Sequence, residues 1–159
     1  MKHNNRPTFY LNDDSSCPVR AGGILFYRYD EDTNEYYLLM IHSRNKYEDF
    51  GGCSDIQDKS IEDMITREVE EESNGIFGKK YIMNLISKEK PIYIKYCKYV
   101  LYFIKINEIY DTKIFGDKEF CDGFYRTVEW IEYNNYKSKS INFRLNSQIV
   151  INHMNKLFV

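Results

Sequence analysis

Apolar, β-branched and aromatic runs alternate along the chain with segments of helical period. The runs 19–27 and 36–42 predict two strands. The acidic stretch 30–35 between them contains an asparagine and is typical of a turn, so we expect these strands to form a hairpin. Similar runs predict one long strand or two within 92–104, and a short strand at 128–131.

Two segments have the periodicity of amphipathic helices. Ser60 is followed three residues later by Asp63, a variant of the capping box, which predicts a helix from about 61 to 73. The Ser-Asn-Gly sequence at 73–75 should end this helix, because Asn and Gly tolerate a left-handed cap. A second helix is predicted within 144–158. Strands interleaved with helices indicate an α+β or α/β fold, with a mixed sheet and helices on its faces.

Composition limits the class of protein. The 159 residues have the length of one domain, and we expect a single domain over 1–159 with an irregular segment at 1–18. No apolar run approaches the roughly 20 residues of a membrane helix, and the polar N-terminus lacks the features of a secretory signal. We therefore expect a cytoplasmic protein without a membrane partner.

Cysteine spacing and net charge exclude further classes. The four cysteines, at positions 17, 53, 97 and 121, lack the paired spacing of a zinc site, and we expect reduced thiols. A net charge of -2 provides no general attraction to nucleic acid or to membranes. Any polyanion must therefore be bound by a local patch or through a metal ion.

The helix predicted over 61–73 has an apolar stripe that becomes acidic halfway along. At about 100° per residue, one face carries Ile61, Met64, Ile65, Glu68, Glu71 and Glu72. Carboxylates spaced i, i+3 and i+4 repel one another, and burying one without a counter-charge is costly. A hard divalent cation, Mg2+ or Mn2+, is the natural counter-charge, and a solvated acidic face is the alternative. Arg67 and Glu70 lie off this arc, where Arg67 would brace a carboxylate and Glu70 would face solvent.

Residues 50–76 resemble the Nudix box, G-x5-E-x7-R-E-U-x-E-E-x-G-U, in which U is aliphatic. Residues 67–72 match its R-E-U-x-E-E core completely, and Gly51 and Gly52 precede the loop that leads to the helix. The resemblance implies a mixed β-sheet sandwiched between helices, an α/β/α sandwich. It also implies a hydrolase that cleaves the pyrophosphate bond of a nucleoside diphosphate linked to another moiety, with Mg2+ or Mn2+ as cofactor.

The resemblance also implies roles for particular side chains. The metal ligands would be Glu68, Glu71 and Glu72, with a backbone carbonyl from Gly51 or Gly52. Arg67 would hold a glutamate in position, which completes a catalytic set of Arg67, Glu68, Glu71 and Glu72. The general base would be Glu68 or a carboxylate from a later loop. Glu119 is the candidate there, with a solvent-exposed loop acid as its alternative role.

Two details depart from the Nudix box. Counting from Gly52 puts Asp58 at the position of the first glutamate, whereas counting back from Arg67 puts Lys59 there. We favour Asp58 and predict that it is a further metal ligand. The segment 73–76 is longer than the end of the box by one residue, which alters the helix end but removes no carboxylate.

Three side chains near the box are candidates for binding a nucleotide-type substrate. Tyr47 and Phe50 could stack on a nucleobase, although core packing is an equally good role for each. Arg44 could contact a phosphate, or it could form a surface ion pair.

The segment 79–99, from Lys79 to Tyr99, carries six lysines and four tyrosines against one acid. Such a pattern could bind RNA, because rings stack on bases and lysines pair with phosphates. It favours an mRNA-decapping or RNA-pyrophosphatase enzyme as the second hypothesis, although an amphipathic strand with outward lysines would look the same. A third hypothesis is a catalytically silent Nudix module that binds a nucleotide. No feature of the sequence predicts an oligomeric state.

Overall fold

A small two-stranded sheet precedes the main sheet in the computed structural model, which describes residues 5–159. Strands β1 (Phe9–Tyr10) and β2 (Pro18–Val19) pair antiparallel, and the 3-10 turn Leu11–Asp13 lies between them. The segment 1–18, which we predicted to be irregular, contains this short pairing, and residues 1–4 lie outside the described part.

The hairpin predicted from the apolar runs is confirmed. Strands β3 (Ala21–Asp30) and β4 (Glu35–Ser43) pair antiparallel, and Asn34 has a φ of 56° in the turn between them. Asparagine tolerates this left-handed conformation better than most residues do.

Two short strands follow the hairpin and bring the glycine pair to the centre of the sheet. Strand β5 (Lys46–Glu48) pairs with the end of β4, and β6 (Phe50–Cys53) pairs with the first half of β3. Because Gly51 lies opposite Gly23 and Gly52 lies opposite Gly22, four residues without side chains adjoin one another in this pairing.

The helix predicted after the glycine loop is also confirmed. Helix α1 (Ile61–Glu72) begins after Ser60, whose hydroxyl accepts a hydrogen bond from the Asp63 N–H at 3.0 Å. It ends at Ser73, and Asn74 and Gly75 then take φ angles of 52° and 81°. The serine cap and the Asn-Gly end therefore act as the sequence predicts.

A further helix, α2 (Lys79–Ile86), was not predicted. Its Ile82 and Ile86 are buried, and its Lys79 N–H donates a hydrogen bond to Glu70 Oε2 at 2.8 Å. The free N–H groups of a first helical turn need such an acceptor, and a carboxylate suits the positive end of the helix dipole. The structure therefore corrects the role expected for Glu70, which caps α2 rather than simply facing solvent.

The segment 92–104 forms two strands. Strands β7 (Ile92–Ile94) and β8 (Tyr99–Lys105) pair antiparallel across a turn in which Lys98 has a φ of 52°. Strand β8 also pairs parallel with β3 along most of its length. This long parallel pairing places Tyr99, the first residue of β8, beside Ala21 at the glycine-containing start of β3.

The C-terminal part adds one strand and two helices. Strand β9 (Thr127–Glu132), predicted at 128–131, pairs antiparallel with β4. The one-turn helix α3 (Tyr133–Tyr136) and the 3-10 turn Phe143–Asn146 lead to α4 (Gln148–Leu157). The second amphipathic helix is thus confirmed, although it begins four residues later than the apolar pattern does.

The main sheet is mixed and has seven strands, β3 to β9. Its order is β5-β4-β3-β8-β7, with β6 also beside β3 and β9 also beside β4. Side chains alternate across a strand, so Ile24 enters the core shared with α1 and α2, whereas Leu25 enters the core shared with α4. The predicted fold class, a mixed sheet sandwiched between helices, is confirmed.

The thiols of Cys17, Cys53, Cys97 and Cys121 are all free. Among residues 5–159, no helix has the length and apolar character needed to cross a membrane.

We predict that Ser60→Ala lowers the free energy of unfolding by about 1 kcal/mol, because the Asp63 N–H loses its acceptor at the start of α1. Ser60→Thr keeps a hydroxyl cap and should remain within about 0.5 kcal/mol of the parent. Urea denaturation followed by circular dichroism measures both changes. An alanine variant as stable as the threonine variant would show that the cap does not stabilise the helix.

Candidate active site

The acidic half of α1 lies against the glycines of β6. The core-facing side chains of Ile61, Met64, Ile65 and Val69 are buried, and the next one on that face, Glu72, is buried too. Glu68 and Glu71 are half-buried. The apolar stripe of the helix therefore continues into carboxylates, as the helical spacing predicts.

Arg67 provides the positive charge for part of this acidic cluster. Its Nη1 atom donates hydrogen bonds to Glu68 at 2.9 Å and to Glu71 at 3.2 Å. Its Nη2 atom donates to the carbonyl oxygen of Cys53 at 2.9 Å, which ties the helix to the end of β6. Arg67 thus braces two of the three helix carboxylates, as the resemblance implied for one.

Asp58 is the residue that holds Arg67 in place. Its two carboxylate oxygens accept hydrogen bonds from Arg67 Nε at 2.8 Å and Nη2 at 2.9 Å, and its side chain is only 2% exposed. Its Oδ2 atom also accepts from the Asp55 N–H. Lys59 is exposed, and its N–H donates to Asp63 instead. The structure therefore places Asp58, and not Lys59, opposite Arg67, with both of its oxygens already engaged.

Glu72 differs from the other two helix carboxylates because no cationic side chain of residues 5–159 forms an ion pair with it. Its side chain lies against β6, where Oε1 accepts a hydrogen bond of 3.3 Å from the Gly51 N–H. Oε2 is buried and has no hydrogen-bond partner within the described part of the chain. Burial, together with the charges of Glu119 and Glu48, raises the pKa of Glu72 well above its ordinary value of 4.5. A buried oxygen without a partner is costly, so this atom needs a proton or a cation.

Glu68 lies directly on the backbone of Gly52. A side-chain carbon at Gly52 would collide with the Glu68 carboxylate, so any other residue there would displace it. Burial raises the pKa of Glu68 to about 6, although Arg67 opposes this shift. Gly52 therefore lies where the resemblance implied a backbone ligand, next to Glu68.

Glu119 is brought to the helix from the loop before β9. Burial is the main reason that its pKa rises to about 7, and the neighbouring Asp122 adds to this rise. Glu119 is also the largest source of charge repulsion that raises the pKa of Glu72. The structure thus brings together the helix acids and the loop acid that the sequence suggested as a base.

Two residues that the sequence analysis did not select anchor this loop. Arg126 donates hydrogen bonds to the carbonyl oxygens of Glu72 at 2.6 Å and Phe115 at 2.9 Å. The Asn74 side-chain amide donates to the carbonyls of Phe115 and Lys118, both at 2.8 Å, and its oxygen accepts from the Phe120 N–H. The sequence signals were weak, because Asn74 is explained as a helix cap and Arg126 as one basic residue in a loop.

Of the side chains proposed to bind substrate, Phe50 is excluded. It is fully buried and packs against Phe26 with ring centres 5.6 Å apart, so it cannot stack on a base. Tyr47 is half-buried, and its ring stacks on His42 at 4.2 Å. Arg44 is exposed, and its guanidinium carbon lies 5.6 Å from the centre of the Phe124 ring. A phosphate contact by Arg44 stays a prediction.

The lysine- and tyrosine-rich segment 79–99 spans several elements of the fold. It is divided among α2, β7 and the start of β8. Tyr99 is buried, and the Tyr93 hydroxyl donates to the carbonyl oxygen of Pro18 at 2.7 Å. Two of the four tyrosines are therefore engaged in the fold and are not free to stack on RNA bases.

A groove of about 800 Å³ lies at the opposite end of α1 from the carboxylates. It is bordered by β1, by the first turn of α1 around Ser60 and Glu62, and by the end of α2. Its lining includes none of Glu68, Glu71, Glu72 or Glu119. The candidate active site is consequently not this groove but the charged surface where α1, β6 and the loop at Glu119 meet.

The charge balance at this surface fits a divalent cation. Within residues 5–159, no three His, Cys, Asp or Glu side chains are gathered closely enough to form a ready-made metal site. Arg67 nevertheless contacts only Glu68 and Glu71 of the helix acids, and the buried Oε2 atom of Glu72 has no partner among the described residues, so this oxygen needs a proton or a cation. Mg2+ commonly takes only one or two carboxylates from a protein and completes its shell with water and phosphate oxygens.

Solved structures with a similar arrangement of strands and helices are hydrolases. An Ap4A hydrolase from C. elegans, in a binary complex, superposes with a TM-score of 0.55 at 15% identity, over 87% of this chain and 97% of that chain. The Nudix hydrolase RenU from M. smegmatis superposes with a TM-score of 0.50 at 8% identity, over 95% of this chain and 94% of that chain. The chain has the Nudix hydrolase fold.

A second structure of the C. elegans Ap4A hydrolase agrees, with a TM-score of 0.51 at 14% identity over 87% of this chain and 98% of that chain. No protein-family model and no curated protein sequence matches this chain. The Nudix fold is therefore recognised from the three-dimensional arrangement, and the R-E-U-x-E-E core at 67–72 lies on the helix that faces its glycine strand.

We predict that Glu72→Gln raises the melting temperature of the metal-free protein, and raises it more at pH 7.5 than at pH 5. Because the folded-state pKa of Glu72 is raised, the folded protein binds more protons than the unfolded chain above pH 4.5. The stability that this group contributes is complete below that pH and is lost as the pH rises toward the folded pKa. Glutamine stays neutral and removes this loss.

Differential scanning fluorimetry in chelator, at both pH values, measures the effect. Glu62→Gln is the matched control, because Glu62 is an exposed glutamate on the same helix. A stabilisation by Glu72→Gln that does not depend on pH would contradict the raised pKa.

Proposed function

We propose that the chain is a metal-dependent pyrophosphohydrolase that acts on a nucleoside diphosphate linked to another moiety. The observation that carries this proposal is the buried Glu72 oxygen that has no partner among the described residues, on the same helix face as Glu68. A buried carboxylate is retained at such a cost when a ligand supplies the missing positive charge.

Glu72 and Glu68 would hold the cation, with Glu71 as a third ligand when it leaves Arg67. The carbonyl oxygen of Gly52 would be near enough to contribute, because Glu68 lies on the Gly52 backbone. When bound, Mg2+ or Mn2+ supplies charge neutralisation for the phosphates and lowers the pKa of a bound water. Asp58 is assigned a different role from the predicted one. Because both oxygens of Asp58 accept hydrogen bonds from Arg67, Asp58 positions Arg67 and is not a metal ligand.

Glu119 is the proposed general base. Its pKa of about 7 lets it accept a proton from water near neutral pH and release it again. In the reaction, the water oxygen forms a bond to phosphorus, the bond from phosphorus to the bridging oxygen breaks, and the water proton passes to Glu119. Glu68, with a pKa of about 6, is the alternative base. Arg67 keeps Glu68 oriented throughout.

The competing proposal is a nucleotide-binding module without turnover. Its support is that Arg67 already occupies two of the three helix carboxylates, and that no ready-made ligand group exists among the described residues. The two proposals differ in one measurable respect, which is whether a diphosphate compound is consumed when Mg2+ or Mn2+ is added.

A substrate panel tests the proposal directly. Ap4A is the first compound to include, because two of the similar structures are Ap4A hydrolases. Nucleotide sugars, nucleoside triphosphates, coenzymes, capped RNA and triphosphorylated RNA complete the panel, so that the RNA hypothesis is tested together with the others. Products are identified by mass, with Mg2+, with Mn2+ and with chelator. Binding without consumption of any compound would favour the module.

We predict that Glu72→Gln and Glu71→Gln each lower kcat by about a hundredfold or more at saturating Mg2+, because each removes a charged oxygen from the site. Both variants should keep the circular dichroism spectrum of the parent. Glu62→Gln, exposed on the first turn of α1, should retain parent activity. Activity of either site variant within a few-fold of the parent would refute its assignment as a ligand.

We predict that Asp58→Asn lowers kcat at least about tenfold, because the neutral amide no longer holds the Arg67 guanidinium through two charged hydrogen bonds. Lys59→Ala alters the adjacent, exposed side chain and should leave kcat unchanged. Matched kinetic assays at one metal concentration compare the two variants. A larger loss in Lys59→Ala would mean that the extra loop residue lies on the other side of Asp58.

A further inference from the structure

We propose that Asp49, Tyr99 and Arg144 form a buried positioning group, which orients Glu72 through the backbone of Gly51. This inference rests on the proposed function, because it concerns how the carboxylate that would hold the cation is aimed. None of the three residues belongs to the Nudix-box segment 50–76.

The group is built around a fully buried charge. Asp49, between β5 and β6, is 0% exposed. Its Oδ1 atom accepts a hydrogen bond from Arg144 Nε at 2.9 Å and forms an ion pair with Arg144 Nη2 at 2.7 Å, and its Oδ2 atom accepts a hydrogen bond from the Tyr99 hydroxyl. The Arg144 guanidinium also lies over the Tyr99 ring, 4.8 Å from its centre. Both carboxylate oxygens of Asp49 therefore have a polar partner.

The cluster is anchored in three distant parts of the chain. Asp49 precedes β6, Tyr99 is the first residue of β8, and Arg144 lies in the 3-10 turn before α4. A buried ion pair often stabilises a fold no more than apolar residues of the same volume would, because desolvating the charges offsets their attraction. Stability alone therefore does not account for a carboxylate, a guanidinium and a phenol in this place.

The Tyr99 hydroxyl lies directly over the glycine pair of the sheet. A side-chain carbon at Gly23 or at Gly51 would collide with this hydroxyl. Gly23 and Gly51 are paired residues of β3 and β6, so the hydroxyl covers both strands at one point of their register. The Tyr99 hydroxyl also donates a hydrogen bond to Asp49, two residues before Gly51. This bond fixes the position of β6 relative to β8.

Gly51 transmits this position to the active site. Its N–H donates the 3.3 Å hydrogen bond to Glu72 Oε1. The bond is long, so a small displacement of β6 would break it and let the carboxylate rotate. With the bond in place, Oε1 is held on the strand and Oε2 is the oxygen that stays free. The buried group thus determines which oxygen of Glu72 stays free to bind the cation.

The test compares Tyr99→Phe with Tyr102→Phe. Tyr102 is also a buried tyrosine of β8, but its side chain enters the core shared with α1 and α2, on the other face of the sheet. Phenylalanine keeps the ring in both variants and removes only the hydroxyl. Three quantities are measured: the chemical shift of the Gly51 amide, the Kd for Mn2+ by titration calorimetry, and kcat and KM for the best compound of the panel. Glu72→Gln serves as the reference for complete loss of the Glu72 carboxylate as a ligand.

We expect Tyr99→Phe to shift the Gly51 amide, to weaken Mn2+ binding several-fold and to lower kcat about tenfold with KM within twofold, because misplacing a catalytic group reduces the rate more than binding. Tyr102→Phe should change none of these. If Tyr99→Phe does not fold, Arg144→Lys replaces it, because lysine keeps the charge but not the double contact with Asp49 Oδ1, and the same changes are expected.

The inference is overturned if the Gly51 amide and the Mn2+ affinity are unchanged in Tyr99→Phe while Glu72→Gln alters both, and the proposed function would then still stand. A parent protein that neither binds Mn2+ nor consumes any compound overturns the proposed function and this inference together.

Discussion

The interaction on which the site depends is the four-way contact of Arg67 with Asp58, Glu68, Glu71 and the carbonyl oxygen of Cys53. One guanidinium joins the preceding loop, the end of β6 and two turns of α1. Because it balances some of the acids but leaves Glu72 without a cation, the cluster is folded yet short of positive charge. Carboxylates that are only partly paired bind an added cation more strongly than a fully paired network would. In a fully paired network, the protein's own cations would compete with the added one.

Glycine is the second requirement, because helix carboxylates can reach a strand only where side chains are missing. Glu68 occupies the space that a side chain at Gly52 would fill, and the Tyr99 hydroxyl occupies the space above Gly51. The strand is therefore contacted from both faces, by the helix acids on one and by the buried phenol and Asp49 on the other. In this arrangement the backbone of β6 connects the interior of the protein with the candidate active site.

The fold also brings a distant acid to the helix. Arg126 and Asn74 bind backbone carbonyls at the end of α1 and in the loop that carries Glu119. These contacts use the last carbonyl of the helix and the side chain of its left-handed cap, which are groups that any helix end must satisfy in some way. Here they also hold the loop close enough for Glu119 to repel Glu72.

The sequence alone determined the elements whose signals are local. Helix α1 with its Ser60 cap, the hairpin of β3 and β4, and the acidic continuation of the apolar stripe depend on residues a few positions apart, and periodicity and capping report such neighbours. Helix α2 was missed because its N-terminal acceptor, Glu70, belongs to the preceding helix. Whether Phe50 lies in the core, whether Asp58 faces Arg67, and how Asp49, Tyr99 and Arg144 meet were decided only by the tertiary structure. These contacts join residues that are far apart in sequence, and pairing between distant segments leaves no periodic trace along the chain.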